Sequence, residues 1–122
     1  MTMSQHEKID YLEFPAKDLA ATKRFFNVVF GWVFVDYGPD YVAFANSGLD
    51  GGFYRSSAVA STASGSALTV IYSRDLPQTQ AKITAAGGKI IKPTFSFPNG
   101  KRFHFTDPNG NEFAVWSDNA GV

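Results

Sequence analysis

The sequence lacks cysteine and has no excess of charge of either sign, and each absence excludes a class of protein. None of the 122 residues is cysteine, which excludes a disulfide-stabilised scaffold, thiolate metal sites and thiol nucleophiles. Eleven basic residues balance eleven acidic ones, so the chain has no basic surplus for a phosphate backbone. We therefore expect no nucleic-acid partner.

Long apolar runs are absent as well. No run approaches the roughly 18 residues of a membrane span, and the polar stretch 1–8 lacks the apolar segment of a signal peptide. These features predict a cytoplasmic protein with no membrane partner. A 44% apolar and 18% charged composition excludes a disordered chain, and the length suits one domain. Aromatic residues, at 16%, are the component in excess.

Two similar halves make up the chain. Each has a β-type run and then a helical stretch from an aspartate to a glycine, Asp18 to Gly31 in one half and Asp75 to Gly87 in the other. The aspartates suit the N-cap and the glycines suit the left-handed end of a helix. Three further extended segments follow each helix. We therefore predict two modules, 9–55 and 67–118, and small polar residues predict a flexible connector over 56–66.

The last part of the chain predicts a β-hairpin. Alternating segments flank the turn residues 107–111, and this arrangement pairs Thr106 with Glu112. In that register His104 lies opposite Ala114, and Arg102 lies opposite Trp116, all on one face. The other face then packs against a helix through Phe103, Phe105, Phe113 and Val115. A slip by one residue would exchange the two faces.

Four local patterns, at 11–19, 25–32, 85–89 and 105–113, resemble the vicinal oxygen chelate superfamily. That superfamily includes glyoxalase I, bleomycin-resistance proteins, fosfomycin-resistance enzymes and extradiol dioxygenases. The resemblance implies an α+β fold of two βαβββ modules whose curved mixed sheets surround a cavity. It also implies a homodimer. Enzymes of the superfamily hold a divalent metal in that cavity through His, Glu or Gln.

The positions that would hold these metal ligands carry weak donors or none. They fall on Tyr11, Thr69 and Ala114, so we expect no cofactor. A divalent metal bound by Glu13 and His104 is the alternative, although one carboxylate and one imidazole are fewer than the three protein ligands of a typical catalytic site.

Glu13 and His104 are the candidate catalytic residues. Glu13 is either a cavity base or the partner of Arg102 or a lysine in an ion pair. His104 is either a general acid and base or a hydrogen-bonded sheet histidine. Candidate ligand-binding positions are Tyr11, Thr69, Arg102, Ala114 and Trp116.

Five further residues have lesser predicted roles. Tyr72 has the opposite parity to Thr69 and is expected to pack against a helix. Glu112 is interpreted as a rim carboxylate or a turn acceptor, and Asp107 as the cap of its own turn. Phe95 and Phe97 are placed in a loop that forms either a lid or a subunit contact.

Two functions remain open. The first is binding of a small, partly apolar molecule in an aromatic-lined cavity without a metal. The alternative, related to lactoylglutathione lyase, is a lyase or isomerase that uses Glu13 and His104 with a weak or unusual metal.

Overall fold

Each half of the chain folds into a strand, a helix and three more strands. The computed structural model describes residues 4–118. The first module contains β1 (Leu12–Ala16), α1 (Leu19–Phe30), β2 (Val33–Asp36), β3 (Tyr41–Ala45) and β4 (Gly51–Arg55). The second contains β5 (Thr69–Tyr72), α2 (Leu76–Ala85), β6 (Lys89–Phe97), β7 (Gly100–Thr106) and β8 (Glu112–Asp118).

Two four-stranded mixed sheets result, one per module. Their strand orders are β1-β4-β3-β2 and β5-β8-β7-β6. In each sheet the first strand pairs in parallel with the last, and the remaining pairs are antiparallel. The predicted α+β fold of two βαβββ modules is therefore confirmed. No helix among residues 4–118 is long and apolar enough to cross a membrane.

The helix ends follow the signals in the sequence. The Asp18 carboxylate accepts a hydrogen bond from the Ala21 amide at 3.0 Å, and α1 ends at Gly31 with φ of 76°. Asp75 caps α2 in the same way through the Gln78 amide at 3.1 Å. The predicted N-caps of both helices and the glycine end of α1 are thus confirmed, whereas the C-cap of α2 is Ala86 and the left-handed residue is the following Gly87, with φ of 101°.

Aromatic side chains of α1 fill the space on the helix side of both sheets. The Phe26 ring lies 5.4 Å from that of Phe53 in the first sheet and 5.3 Å from that of Phe113 in the second. Phe25 similarly contacts Phe105 at 6.1 Å. One helix therefore packs against both modules, and the aromatic excess forms one shared core.

The turn between β7 and β8 joins the two modules by hydrogen bonds. Fully buried Asn111 donates to the Pro15 carbonyl at 2.6 Å and accepts from the Ala60 amide at 2.8 Å. Asp107 caps this turn as predicted, because its carboxylate accepts from the amides of Asn109 and Asn111. Burial raises the pKa of Asp107 to about 6, against the lowering effect of these hydrogen bonds.

The connector is more structured than its composition predicts. Thr62–Ser64 form a short 3₁₀ helix, and the Glu112 amide donates to the Ala60 carbonyl at 2.8 Å. The prediction of a flexible connector overlooked these partners, because they lie about 50 residues away on β8 and leave no local pattern.

Candidate functional site

One face of the second sheet points away from the helices and collects most of the predicted site residues. The hairpin register is the predicted one, with Thr106 opposite Glu112, His104 opposite Ala114 and Arg102 opposite Trp116. We call this surface the open face of the second sheet. Strand pairing assigns to it Val70, Tyr72, Lys92, Phe95, Phe97, Arg102, His104, Glu112, Ala114 and Trp116.

His104 and Glu112 form a buried pair on this face. The His104 Nδ1 atom lies 2.8 Å from Glu112 Oε2, and the two side chains are only 6% and 8% exposed. They meet because Glu112 precedes Ala114 by two residues and is thus a diagonal neighbour of His104 across the strands. The other carboxylate oxygen accepts from both the amide and the hydroxyl of Thr62, at 2.8 and 2.9 Å.

These contacts determine the protonation of the pair. Burial acts to raise the pKa of Glu112, but the hydrogen bonds from His104 and Thr62 outweigh it, and the pKa is lowered. A carboxylate only accepts hydrogen bonds, so His104 Nδ1 carries the hydrogen that Glu112 binds. The second nitrogen of the imidazole, Nε2, is buried and has no partner within residues 4–118.

Arg102 supplies a second buried nitrogen next to His104. Its guanidinium lies over the rings of Phe95 and Phe97, at 5.3 and 5.9 Å from their centroids. Its Nε atom is buried without a hydrogen-bond partner in the described part of the chain. Two unpartnered nitrogens therefore lie on one face of β7, two residues apart.

Aromatic rings surround these polar atoms. Trp116 meets Tyr72 edge-on at 5.2 Å and Phe97 at 6.3 Å. Phe95 lies 5.9 Å from the His104 ring. The predicted loop placement of the two phenylalanines is wrong, because β6 extends to Phe97 with register shifts on either side of Lys92.

The fifth strand has the opposite parity to the predicted one. Val70 pairs with Ala114 and Tyr72 with Trp116, whereas Thr69 pairs with Phe113 of the core face. Thr69 is therefore absent from the open face, and Tyr72 takes part in it instead of packing on a helix. Strand β5 has only four residues and no adjacent tight turn, so the sequence does not indicate which of its side chains point to which face.

Glu112 is the residue that sequence reasoning missed. Its interpretation as a rim carboxylate is wrong, because it is buried and binds His104. The available signal was its diagonal position relative to His104 in the predicted register.

Glu13 belongs to a separate network on the first sheet. The Tyr41 hydroxyl donates to the Glu13 carboxylate at 2.8 Å, and Tyr11 lies 2.7 Å from the same hydroxyl. Because Tyr41 uses its only hydrogen on Glu13, Tyr11 must donate to Tyr41. Burial and these two hydrogen bonds raise the pKa of Tyr41. Gly52 leaves room for the Tyr41 ring, because a Cβ there would overlap its hydroxyl.

The predicted ion pair of Glu13 with Arg102 or a lysine is wrong. Glu13 is exposed, and no salt bridge among residues 4–118 involves it. Glu13 and Thr69 instead line a groove of about 350 Å³ between β1 and the connector. Glu13 and His104 share no hydrogen bond in the described structure, since each binds its own sheet's partners.

The residues present do not fit the divalent metal of the resembled enzymes. Ala114 offers only a methyl group, and the Tyr11 hydroxyl is bound to Tyr41. The oxygens of Glu112 are already bound to His104 and Thr62. No group of three His, Cys, Asp or Glu side chains within residues 4–118 is arranged to hold a metal ion.

Comparison with known proteins places this geometry in a family. The family model described as Glyoxalase/Bleomycin resistance protein/Dioxygenase superfamily matches residues 8–115. None of the curated proteins matches the sequence.

Several solved structures share the fold. A glyoxalase-related enzyme from Fulvimarina pelagi is 20% identical, with a TM-score of 0.74 and coverage of 92% of this chain and 88% of that one. The fosfomycin resistance protein FosX from Listeria monocytogenes, as its E126Q mutant with Mn(II), is 17% identical, with a TM-score of 0.77 and coverage of 97% and 93%. TnmS3, an antibiotic binding protein from a Streptomyces species, is 16% identical, with a TM-score of 0.66 and coverage of 97% and 98%. At these identities the likeness shows the fold alone.

Proposed function

Because the chain belongs to the glyoxalase/bleomycin resistance protein/dioxygenase superfamily, we propose that it binds a small, partly apolar molecule on the open face of the second sheet. The binding uses aromatic contacts and the two unpartnered buried nitrogens on β7, without the superfamily's metal. The antibiotic binding protein of the same fold supports small-molecule binding as a function that this architecture serves.

One observation carries the proposal: Arg102 Nε and His104 Nε2 are buried without partners. An unpartnered buried polar group costs about 1–3 kcal/mol, so a ligand that supplied partners would recover that free energy. Aromatic side chains also lie on this face, and Trp116 and Tyr72 present ring area for stacking. A ring stacked on such a surface contributes about 0.5–1.5 kcal/mol beyond its buried area.

Tryptophan fluorescence tests the proposal, because the two tryptophans lie in different places. Trp116 lies on the open face, whereas Trp32 is 5% exposed in the core beside Phe26. Titration with 2-naphthalenemethanol should change the emission of the wild type. The Trp116→Phe variant keeps only Trp32 in the core, so its emission should change little on titration. An equal change in this variant would place binding elsewhere.

We expect binding to need no divalent metal. Elemental analysis of the purified protein should find far less than one zinc, nickel or manganese per chain. Chelator treatment should leave the fluorescence titration unchanged. One equivalent of metal, or loss of binding after chelation, would contradict this expectation.

Exposed apolar side chains on both sheets also support a homodimer as the binding form. Val33 and Val35 of β2 are 54% and 55% exposed, on the same side of the first sheet as Glu13. Tyr72 on the second sheet is 47% exposed. Pairing the first sheet of one copy with the second sheet of another would cover both apolar surfaces.

Sedimentation equilibrium should therefore give twice the chain mass of 13.3 kDa. Val35→Lys should shift the equilibrium toward the monomer. Val28→Lys, at a more exposed valine on α1, should not shift it. A monomeric wild type at micromolar concentration would contradict the dimer.

The His104–Glu112 pair favours a second candidate, a lyase or isomerase. An imidazole oriented by a carboxylate through one nitrogen can accept a substrate proton at the other. Glu13 would join such a site only from the first sheet of a second copy. The test is thioester formation from methylglyoxal and glutathione. Absence of turnover by the wild type, or full activity of His104→Gln, would contradict this candidate.

A further inference from the structure

Arg102 Nε and His104 Nε2 are the polar atoms of the open face that no intramolecular contact explains. Both are buried, and both side chains leave the same face of β7 two residues apart. Two residues of extended strand span about 7 Å. A carboxylate bridged by one hydrogen bond of about 2.9 Å on either side spans a similar distance.

We propose that Arg102 and His104 form an oxyanion subsite, so that the bound molecule is an aromatic or apolar carboxylate. This inference rests on the proposed binding function and specifies its ligand class. The carboxylate accepts from Arg102 Nε–H and from His104 Nε2–H, and the apolar body lies against Trp116 and Tyr72.

The contacts around His104 allow it to donate a hydrogen bond to an anion only through Nε2. Its Nδ1–H is committed to Glu112, so in the neutral ring Nε2 is an acceptor and repels a carboxylate. Nε2 is a donor only in the ring that carries hydrogens on both nitrogens, and the Glu112 carboxylate is the counter-ion in place for that form. The subsite therefore requires this form of the ring.

The charges that face His104 favour such an anion. Glu112 of β8 is the acidic neighbour, and it is already bound by His104 and Thr62. Lys92 of β6 pairs with His104 in the strand register, and Arg102 of β7 lies beside it. The two cations are free of salt bridges within residues 4–118, so they supply the positive charge that a carboxylate needs.

Phe95 covers this subsite and would have to move aside. Its ring contacts both Arg102 and His104, and it sits after a register shift on β6, where the strand pairing is interrupted. Bulges of this kind re-aim side chains next to functional sites. The Lys92 amine lies 4.8 Å from the same ring and adds attraction for an arriving anion.

A matched pair of probes separates this inference from the proposed function. We would titrate the full chain by calorimetry with 2-naphthoate and with 2-naphthalenemethanol, which share the aromatic body and differ in the anion. Near pH 6 the carboxylate should bind at least about tenfold more tightly, as expected for hydrogen bonds to a charged group.

Two variants test the named atoms. Arg102→Met keeps the packed stem, and His104→Gln keeps a polar side chain. Each should weaken the binding of 2-naphthoate more than that of the alcohol, and so remove most of the tenfold preference.

Equal affinity of the two probes in the wild type, or an unchanged preference in both variants, would overturn the subsite and leave the proposed function in place. Failure of both probes to bind would contradict the proposed function and the subsite together.

Discussion

Replacing Glu112 by glutamine should reverse the tautomer of His104. The Thr62 amide and hydroxyl both donate to Oε1, and a backbone amide cannot accept. The glutamine must therefore direct its oxygen at Thr62 and its NH₂ group at His104 Nδ1. The neutral imidazole then accepts at Nδ1 and carries its hydrogen on Nε2.

The substitution should also cost stability. It exchanges a hydrogen bond to a charged carboxylate for a neutral one at a site where both side chains are less than a tenth exposed. Charged hydrogen bonds contribute about 1.5–3 kcal/mol and neutral ones about 0.5–1.5, so the free energy of unfolding at pH 7 should fall by about 1–2 kcal/mol. The pKa of Glu112 is lowered in the folded chain, so its stabilisation is present above its unfolded pKa and is lost as pH falls through the folded one. The wild type and the variant should therefore converge in acid.

Long-range ¹H–¹⁵N NMR of the imidazole rings provides the assay. The chain has only two histidines, and His6→Asn assigns the spectrum by elimination. At a pH where the ring is neutral, the wild type should show the hydrogen on Nδ1 and Glu112→Gln should show it on Nε2. The same tautomer in both proteins, or an Nε2–H tautomer in the wild type, would refute the reasoning.

Three further predictions concern residues that hold the two sheets and the turn between β7 and β8 in place. Gly52→Ala should lower the free energy of unfolding by about 1–3 kcal/mol, because its Cβ overlaps the Tyr41 hydroxyl, and the same change in a Tyr41→Ala background should cost clearly less. Asn111→Ala should cost about 2–5 kcal/mol in urea denaturation, because it leaves a buried carbonyl and a half-buried amide unpartnered, and a loss below 1 kcal/mol would contradict its role as the joint between modules. The pKa of Asp107 rises to about 6 on folding, so its contribution to stability is full below the unfolded pKa near 3.9 and falls by about 2–3 kcal/mol as pH rises through 6. Asp107→Asn should remove that decline, and parallel pH profiles of the two proteins would show that this carboxyl is not responsible.

The parts of the fold that local signals determine could be predicted from the sequence. Asp18 and Gly31 bound a helix by their own backbone chemistry, and the turn at 107–111 sets the hairpin register. That register also brought Arg102, His104 and Trp116 to one face. Strand β5 has no such turn, so its side chains were predicted on the wrong faces. The neighbours of Thr69, and not Thr69 itself, lie on the open face.

The partners of the two carboxylates could not be predicted in the same way. Glu13 binds Tyr41 from a strand 28 residues later, and Glu112 binds Thr62 from the connector 50 residues earlier. These contacts depend on how the sheets and the connector come together, and no residue spacing encodes that arrangement. The buried His104–Glu112 pair is thus a result of tertiary structure, although the strand register places its two members side by side.

The most direct test of the central claim is a crystal structure with 2-naphthoate bound. We expect the naphthalene ring against Trp116 and Tyr72, with the carboxylate within hydrogen-bond distance of Arg102 Nε and His104 Nε2. Binding instead in the groove of about 570 Å³ between α2 and the strands β6 and β7, on the helix side of the sheet, would contradict the claim.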